Sequence, residues 1–265
     1  MPFRRAIFRL CCSTLVLIGC SSEPPTNWPA ADPLQWVDPA RCLSPCNYDG
    51  AGHLVAIDSA GRLGADRAFR VLDVAEPALA AMLAAVAAAG HIATVSSAFR
   101  TYDEQLDLYE HATEIGRTAR PGHSEHQLGT TVDLDDHDGA AFGWLAARSA
   151  EYGFLLSFPE LLQKTTGLRY EPWHFRYVGS DLARAVRSET TTLESYLHAR
   201  PAAAVVGDCS DCASDLSRSE CGAVTGQGEC RDSVLTWCFD GALAQVDCAA
   251  TGSVCEVGTT GADCR

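Results

Sequence analysis

The run Gly122-His-Ser-Glu-His-Gln-Leu-Gly-Thr-Thr-Val-Asp133, followed later by Glu171-Pro-Trp-His174, decides how this chain is read. Together the two segments offer His126, Asp133 and His174 to one metal ion and leave Glu171 spare. Zinc favours four-coordinate sites, and a hydrolytic site uses three protein ligands plus water. His126 falls in a glycine-flanked loop. Asp133 falls near the end of the β-branched run Thr130-Thr-Val-Asp-Leu, which is expected to be a strand. The spacing between them lets the chain turn and return to one ion. Glu171 is placed near the metal without being a ligand, as a general base must be. The Glu171–Pro172 bond disfavours helix, so this is not the helical H-E-x-x-H arrangement. In a regular strand positions 171 and 174 would face opposite sides, which predicts a bend or bulge near Pro172-Trp173.

Upstream lies Ser96-Ser-Ala-Phe-Arg-Thr-Tyr-Asp-Glu-Gln105. Thr101 and Glu104 form a capping box that starts a helix running to about Ala112. Arg100 therefore sits beside the free N–H groups of a helix start, a good receptor for a carboxylate. Gln105, one turn further in, can reach the same ligand. Read alone, Arg100 also suits a surface salt bridge. Around these segments the pattern alternates between helical and extended. An alanine-rich buried helix starts at Pro77, with Leu79, Met82, Leu83 and Val86 on one stripe and Gly90 as its stop. Strands are expected at Ile92–Ser97 and around Phe175–Val178. Further helices are expected at Ala140–Tyr152, with Trp144 and Leu145 toward the core, and at Asp181–Arg187 and Thr192–His198.

These three segments resemble the VanY-type D-alanyl-D-alanine carboxypeptidases, zinc peptidases of peptidoglycan. That family shares a fold with lysostaphin-like endopeptidases and the hedgehog signalling domain. Its pattern is a Ser-Gly-Tyr-Arg-Ser-like segment followed by Gln, then Ser-x-His-x-x-Gly-x-x-x-Asp, then Glu-x-Trp-His. Here it reads Ser97-Ala-Phe-Arg100-Thr with Gln105, then Ser124 to Asp133, then Glu171 to His174. The resemblance spans roughly residues 55–190. It implies an α+β domain whose small antiparallel sheet carries a zinc site, with flanking helices. It implies that His126, Asp133 and His174 bind zinc, that Glu171 is the catalytic base, and that Arg100, Gln105 and Ser124 hold the substrate's terminal carboxylate and adjacent groups. The implied reaction is hydrolysis of the terminal D-Ala-D-Ala bond of peptidoglycan stem peptides. A D,D-dipeptidase, a cross-link endopeptidase and a non-catalytic zinc-containing wall-binding protein are the alternatives. Ala98 and Thr101 depart mildly from the pattern, and neither removes a catalytic group.

Other polar clusters invite plainer readings. His123 is a rival ligand by proximity but suits the pocket rim better. Asp135-Asp-His-Asp138 reads as a solvated turn rather than a metal site. His53, His91, His111 and His198 are isolated, and Trp173 reads as packing beside the metal.

The ends of the chain carry a different message. Arg4 and Arg5, an apolar stretch from Leu10 to Ile18 and the lipobox-like Leu17-Ile-Gly-Cys20 read as a lipoprotein signal over residues 1–19, with Cys20 lipidated. A plain secretory signal cut elsewhere is the alternative. Setting aside Cys11, Cys12 and Cys20 from thirteen cysteines leaves ten, an even number that fits pairing in an oxidising compartment. Cys42 and Cys46 suggest a small local disulfide loop, with a metal pair as the weaker reading. Residues 20–40 form a polar, proline-rich tether, 41–200 the zinc domain and 201–208 a linker. Residues 209–265 form a Cys-rich module too small to hold itself without disulfides. Its Cys209 and Cys212 read as structural. Setting aside the leader's three arginines leaves 17 Lys+Arg against 34 Asp+Glu, a net of −17. That charge opposes binding to nucleic acid or to anionic headgroups. Membrane attachment would come from acyl chains at the cell envelope.

Overall fold

The structure is a computed structural model. It describes residues 37–38, 41–43, 46–50, 52–57, 69–112, 118–160, 162–189, 191–199, 224, 228–239, 242–258 and 261–264. The leader, Cys20, most of the tether, the 201–208 linker and Cys209, Cys212 and Cys221 lie outside the described residues.

Two three-residue strands come first, β1 (Leu54–Ala56) and β2 (Arg70–Leu72), paired antiparallel. They are too short for the alternation that reveals a strand in sequence. Helix α1 (Glu76–Ala88) has Pro at its start and buries Leu79, Met82, Leu83 and Val86. Gly90 ends it at φ +89. The expected buried helix is in fact buried along one stripe only, with Ala81, Ala84, Ala87 and Ala88 exposed. Alanine is a strong helix former and does not demand burial.

Strand β3 (Ala93–Ser97) leads to α2 (Tyr102–Glu110), whose capping box is complete. Thr101 Oγ1 accepts from the Glu104 N–H, and Glu104 Oε2 accepts from the Thr101 N–H at 2.8 Å. Strand β4 (Thr131–Asp136) is followed by α3 (Ala141–Arg148). The single helix expected to Tyr152 instead changes to a 3-10 turn at Ser149–Tyr152, closed by Gly153 at φ +86. Leu145 is fully buried, while Trp144 packs at the core's edge. Next come β5 (Phe154–Leu156), the short α4 (Gln163–Thr166), β6 (His174–Tyr177), α5 (Ser180–Ser188) and α6 (Leu193–His198).

Strands β3, β4, β6 and β5 lie side by side in that order, all antiparallel. Side chains alternate across a sheet. Val95, Val132, Leu134, Phe154 and Phe175 therefore turn toward α1 and α3 and form the main core. The polar residues between them occupy the other face, and that face carries the site.

The tail folds as a three-stranded antiparallel sheet, β7 (Glu229–Arg231), β8 (Val234–Phe239) and β9 (Ala242–Asp247), with a hairpin of β10 (Cys255–Gly258) and β11 (Gly261–Cys264). Disulfides Cys230–Cys255 and Cys248–Cys264 staple it. Cys238, Cys42 and Cys46 are also disulfide-bonded, which sets aside the metal reading of Cys42 and Cys46. The tail's apolar cluster includes residues from the preceding part of the chain. Leu235, Trp237 and Ala244 share one buried cluster with Phe158 and Leu168.

Candidate metal centre and substrate pocket

Asp133 on β4 and His174 on β6 are direct partners in the antiparallel register, so their side chains stand next to each other on one face. His126 arrives from a 3-10 turn, Glu125–Leu128, that Gly129 ends in the left-handed region at φ +74. A Cβ on Gly129 would meet Leu72 Cγ at 3.0 Å, so this reversal needs glycine. The chain then enters β4 at once. The 3-10 turn, β4 and β6 thus bring three ligand-type groups, two of them buried, to one point.

His126 Nε2, Asp133 and His174 Nδ1 all lie within 4.8 Å of one another, and no other such group of His, Cys, Asp or Glu occurs among the described residues. His126 Nε2 is 3.1 Å from Asp133 Oδ2, and His174 Nδ1 is 3.1 Å from Asp133 Oδ1. Despite these distances, His126 Nε2 and Asp133 Oδ1 have no hydrogen-bond partner among the described residues. Ligands about 2.1 Å from a tetrahedral zinc stand roughly 3.4 Å apart, so the donor set fits zinc in chemistry and lies close enough together for one ion.

Each histidine is oriented from behind. His126 Nδ1 is 2.7 Å from the Ala98 carbonyl oxygen, so it donates there and leaves the Nε2 lone pair free. His174 Nε2 is 3.0 Å from Glu125 Oε2, which leaves Nδ1 for a cation. Such outer partners fix the tautomer of a metal-binding histidine. Glu125 also accepts from Ser157 Oγ at 2.6 Å and from Arg176 Nη1 at 3.0 Å. Burial alone would raise the Glu125 carboxyl, but the Arg176 guanidinium and His174 hold it down to about 2. Burial and the Arg100 guanidinium push His126 down to about 4. His174 rises to about 10 despite burial, because the Asp133 and Glu125 carboxylates lie against its two ring nitrogens. Asp133 is held well below the usual carboxylate range against its burial by His126 and His174.

Glu171 is buried, and its Oε2 lies 3.5 Å from His174 Nδ1. The expected bend is a tight turn at Pro172–Trp173, closed by the His174 N–H donating to the Glu171 oxygen at 3.1 Å. That turn, rather than a bulge, places both side chains on the same cavity.

Arg100, Gln105, Ser124, Glu171 and the three metal-type residues line one cavity of about 430 Å³. Burial lowers the Arg100 guanidinium's pKa, while Asp133 and Glu171 oppose the change. Its Nε has no hydrogen-bond partner among the described residues. Arg100 is thus a cation facing the cavity and not a surface salt-bridge partner. Gln105 is buried, with Nε2 donating to the Ala119 oxygen at 2.7 Å and Oε1 without a partner among the described residues. His123 also lines the cavity, its Nδ1 2.7 Å from the Asp38 carbonyl oxygen, in keeping with a rim position. Asp136 and Asp138 accept from backbone N–H groups at the start of α3, among them those of Gly139, Ala141 and Phe142. Trp173 lines the cavity beside the metal-type residues.

Sequence reasoning passed over Glu125, Ser157, Phe158 and Arg176. Arg176 was findable, since it stands two residues after His174 and so on the same face of a strand. Glu125 falls at the variable position between Ser124 and His126. Ser157 and Phe158 follow β5, which no alternation announced.

Fold and site together define an α+β domain with a two-histidine, one-carboxylate metal centre on an antiparallel sheet. Over its central part the chain resembles the VanY family. The family model described as D-alanyl-D-alanine carboxypeptidase matches residues 69–180. The bifunctional D-Ala-D-Ala dipeptidase and carboxypeptidase VanXYC of Enterococcus gallinarum is 36% identical over 118 residues, covering 37% of this chain and 62% of that protein. The putative carboxypeptidase YodJ of Bacillus subtilis (strain 168) is 31% identical over 140 residues, covering 46% of this chain and 51% of that protein. The chain thus spans between half and two thirds of these relatives. Among solved structures, the LdcB LD-carboxypeptidase aligns at TM-score 0.57 with 27% identity, covering 63% of this chain and 87% of that one. A VanY D,D-pentapeptidase variant from a VanB-type resistance cassette, in complex with Zn(II), aligns at TM-score 0.53 with 27% identity, covering 62% and 98%.

Proposed function

We propose that this protein is a zinc-dependent D,D-carboxypeptidase that removes the terminal D-Ala from peptidoglycan stem peptides. The observation that carries the reading is the convergence of His126, Asp133 and His174 beside a buried, non-ligating Glu171, in a cavity that also holds the Arg100 guanidinium. Zinc held by those three residues would polarise a scissile carbonyl and acidify water. Glu171 takes the proton from the attacking water and returns it to the departing amine. Arg100 binds the free C-terminal carboxylate and sets the peptide so that the last bond lies beside Glu171. Ser124 and Gln105 line the same cavity and fix neighbouring polar groups of the peptide. Glu125 holds His174 in the orientation that the metal requires.

The same reading takes the chain to the cell envelope, exported and anchored through a lipidated Cys20. Its support is the leader sequence and the disulfide-bonded cysteines of the folded part. Labelling with a radioactive fatty acid tests it, since Cys20→Ser should abolish incorporation.

The reaction is tested by offering the purified, zinc-loaded protein four substrates side by side. These are a muramyl pentapeptide, the corresponding tetrapeptide, free D-Ala-D-Ala and a cross-linked muropeptide. Release of D-Ala from the pentapeptide alone is the expected result. Preference for the tetrapeptide would assign L,D-specificity like that named for the LdcB neighbour. Stoichiometric zinc with no turnover of any of them would make the protein a non-catalytic binder.

A further inference from the structure

Phe158 stands between the metal centre and the Cys-rich tail. Its ring centroid lies 4.6 Å from that of His174, and its carbonyl oxygen accepts from the Glu171 N–H at 3.1 Å. The preceding Ser157 gives its N–H to the His174 oxygen at 3.3 Å and its hydroxyl to Glu125 at 2.6 Å. The 157–158 segment therefore touches a proposed ligand, its orienting carboxylate and the proposed base. Phe158 and Leu168 both line the cavity.

Neither residue belongs to the main core between the sheet and its helices. By packing, both belong to the tail, in one buried cluster with Leu235, Trp237, Ala244 and the disulfide-bonded Cys248 and Cys264. Phe158 and Leu168 are 9% exposed, and Leu235 and Trp237 are 0% and 1% exposed. Removing one side of such a cluster leaves its lining without partner atoms and frees the rotamers that the packing had fixed.

We propose that the Cys-rich tail is the outer wall of the pocket and positions Phe158, and through it His174 and Glu171. The inference rests on the metal centre described above but not on which peptide is cleaved. The tail is then part of the domain it follows, rather than a module carried beside it. Its disulfides hold a surface that the site leans on, so their loss reaches the metal. Trp237 and the Cys248–Cys264 bridge are positioning groups in this account, because neither lines the cavity.

The test uses the full chain and reads zinc affinity by competition with a chromogenic chelator, in the absence of any peptide. Trp237→Ala and the paired substitution Cys248→Ser with Cys264→Ser each weaken zinc binding about tenfold, at a temperature where far-ultraviolet circular dichroism shows the parent's helix content retained. In a Phe158→Ala background the same tail substitutions add little further loss, since the route through the ring is already cut. Unchanged zinc affinity in both tail variants, or full additivity with Phe158→Ala, overturns the proposal. Should Trp237→Ala fail to fold, Trp237→Leu takes its place. Hydrogen exchange supplies a reading independent of the metal, with faster exchange expected at residues 154–158 and 171–177 in the tail variants. Exchange that rises only within 229–264 overturns it as well. A protein that binds zinc through this wall but cleaves no muropeptide would refute the proposed reaction and leave the wall standing.

Discussion

Glu125 Oε2 lies 3.0 Å from His174 Nε2, and this contact decides which nitrogen of His174 faces Asp133. Glu125 is itself fixed by Arg176 and Ser157. Glu125→Gln keeps the shape but removes the charge, and it should weaken zinc binding about 10- to 100-fold. Glu125→Ala also takes the carboxylate away from a buried guanidinium, at roughly 3–5 kcal/mol of stability. Chelator competition measures the first effect and urea unfolding the second.

In the proposed reaction, Glu171 is what separates an enzyme from a zinc binder. Glu171→Ala should keep one zinc per chain and lose turnover by about 10²–10⁴-fold. Metal analysis alongside D-Ala release decides the matter, and a variant as active as the parent would refute the assigned role.

Arg100 should act on the substrate and not on the metal. Arg100→Lys keeps the charge but loses bidentate geometry. KM for a pentapeptide should rise about tenfold or more, with zinc affinity unchanged. The parent protein should correspondingly fail to turn over a peptide whose C-terminus is amidated.

Gly129 is held at φ +74 against Leu72. Gly129→Ala should therefore cost about 1–3 kcal/mol from the left-handed backbone and the crowding. A lowered thermal midpoint, with zinc binding retained in the folded fraction, is the expected pattern.

Glu194 lines the same cavity, and burial together with Asp38 and Glu125 raises its pKa from 4.5 to about 8. The folded protein then holds a proton there that the unfolded chain releases between these two values. Stability from this group is fully present below about 4.5 and is lost as pH rises through about 8. Glu194→Gln should flatten that fall and leave the protein more stable than its parent at pH 9 by more than about 1 kcal/mol. Unfolding curves at pH 5, 7 and 9 read the difference directly.

Much of this was legible before any coordinates. The capping box at Thr101 and Glu104 announced α2, since it is a short-range bond pattern with a fixed spacing. The β-branched run before Asp133 announced β4, and the proline at 172 announced the turn between Glu171 and His174. What stayed hidden depends on contacts distant in sequence. Glu125 looks like a spacer until Arg176, 51 residues away, is brought against it. Strands β1, β2 and β5 have three residues each, too few to show a period. The tail's packing on Phe158 left no trace, because disulfide-rich segments follow no apolar repeat that could point to a partner.

Arg176 has a consequence beyond orienting a ligand. On β6 it and His174 face the site, while Phe175 between them is wholly buried in the core opposite Val132. A one-residue slip of β6 along β4 would drive a guanidinium into that apolar layer and turn a phenyl ring out toward Glu125. The cost of burying an unpaired charge makes that misalignment prohibitive. During folding, β4 and β6 thus have one alignment open to them, and it is the alignment that sets Asp133 beside His174. A chain that folds at all arrives with its ligands in line.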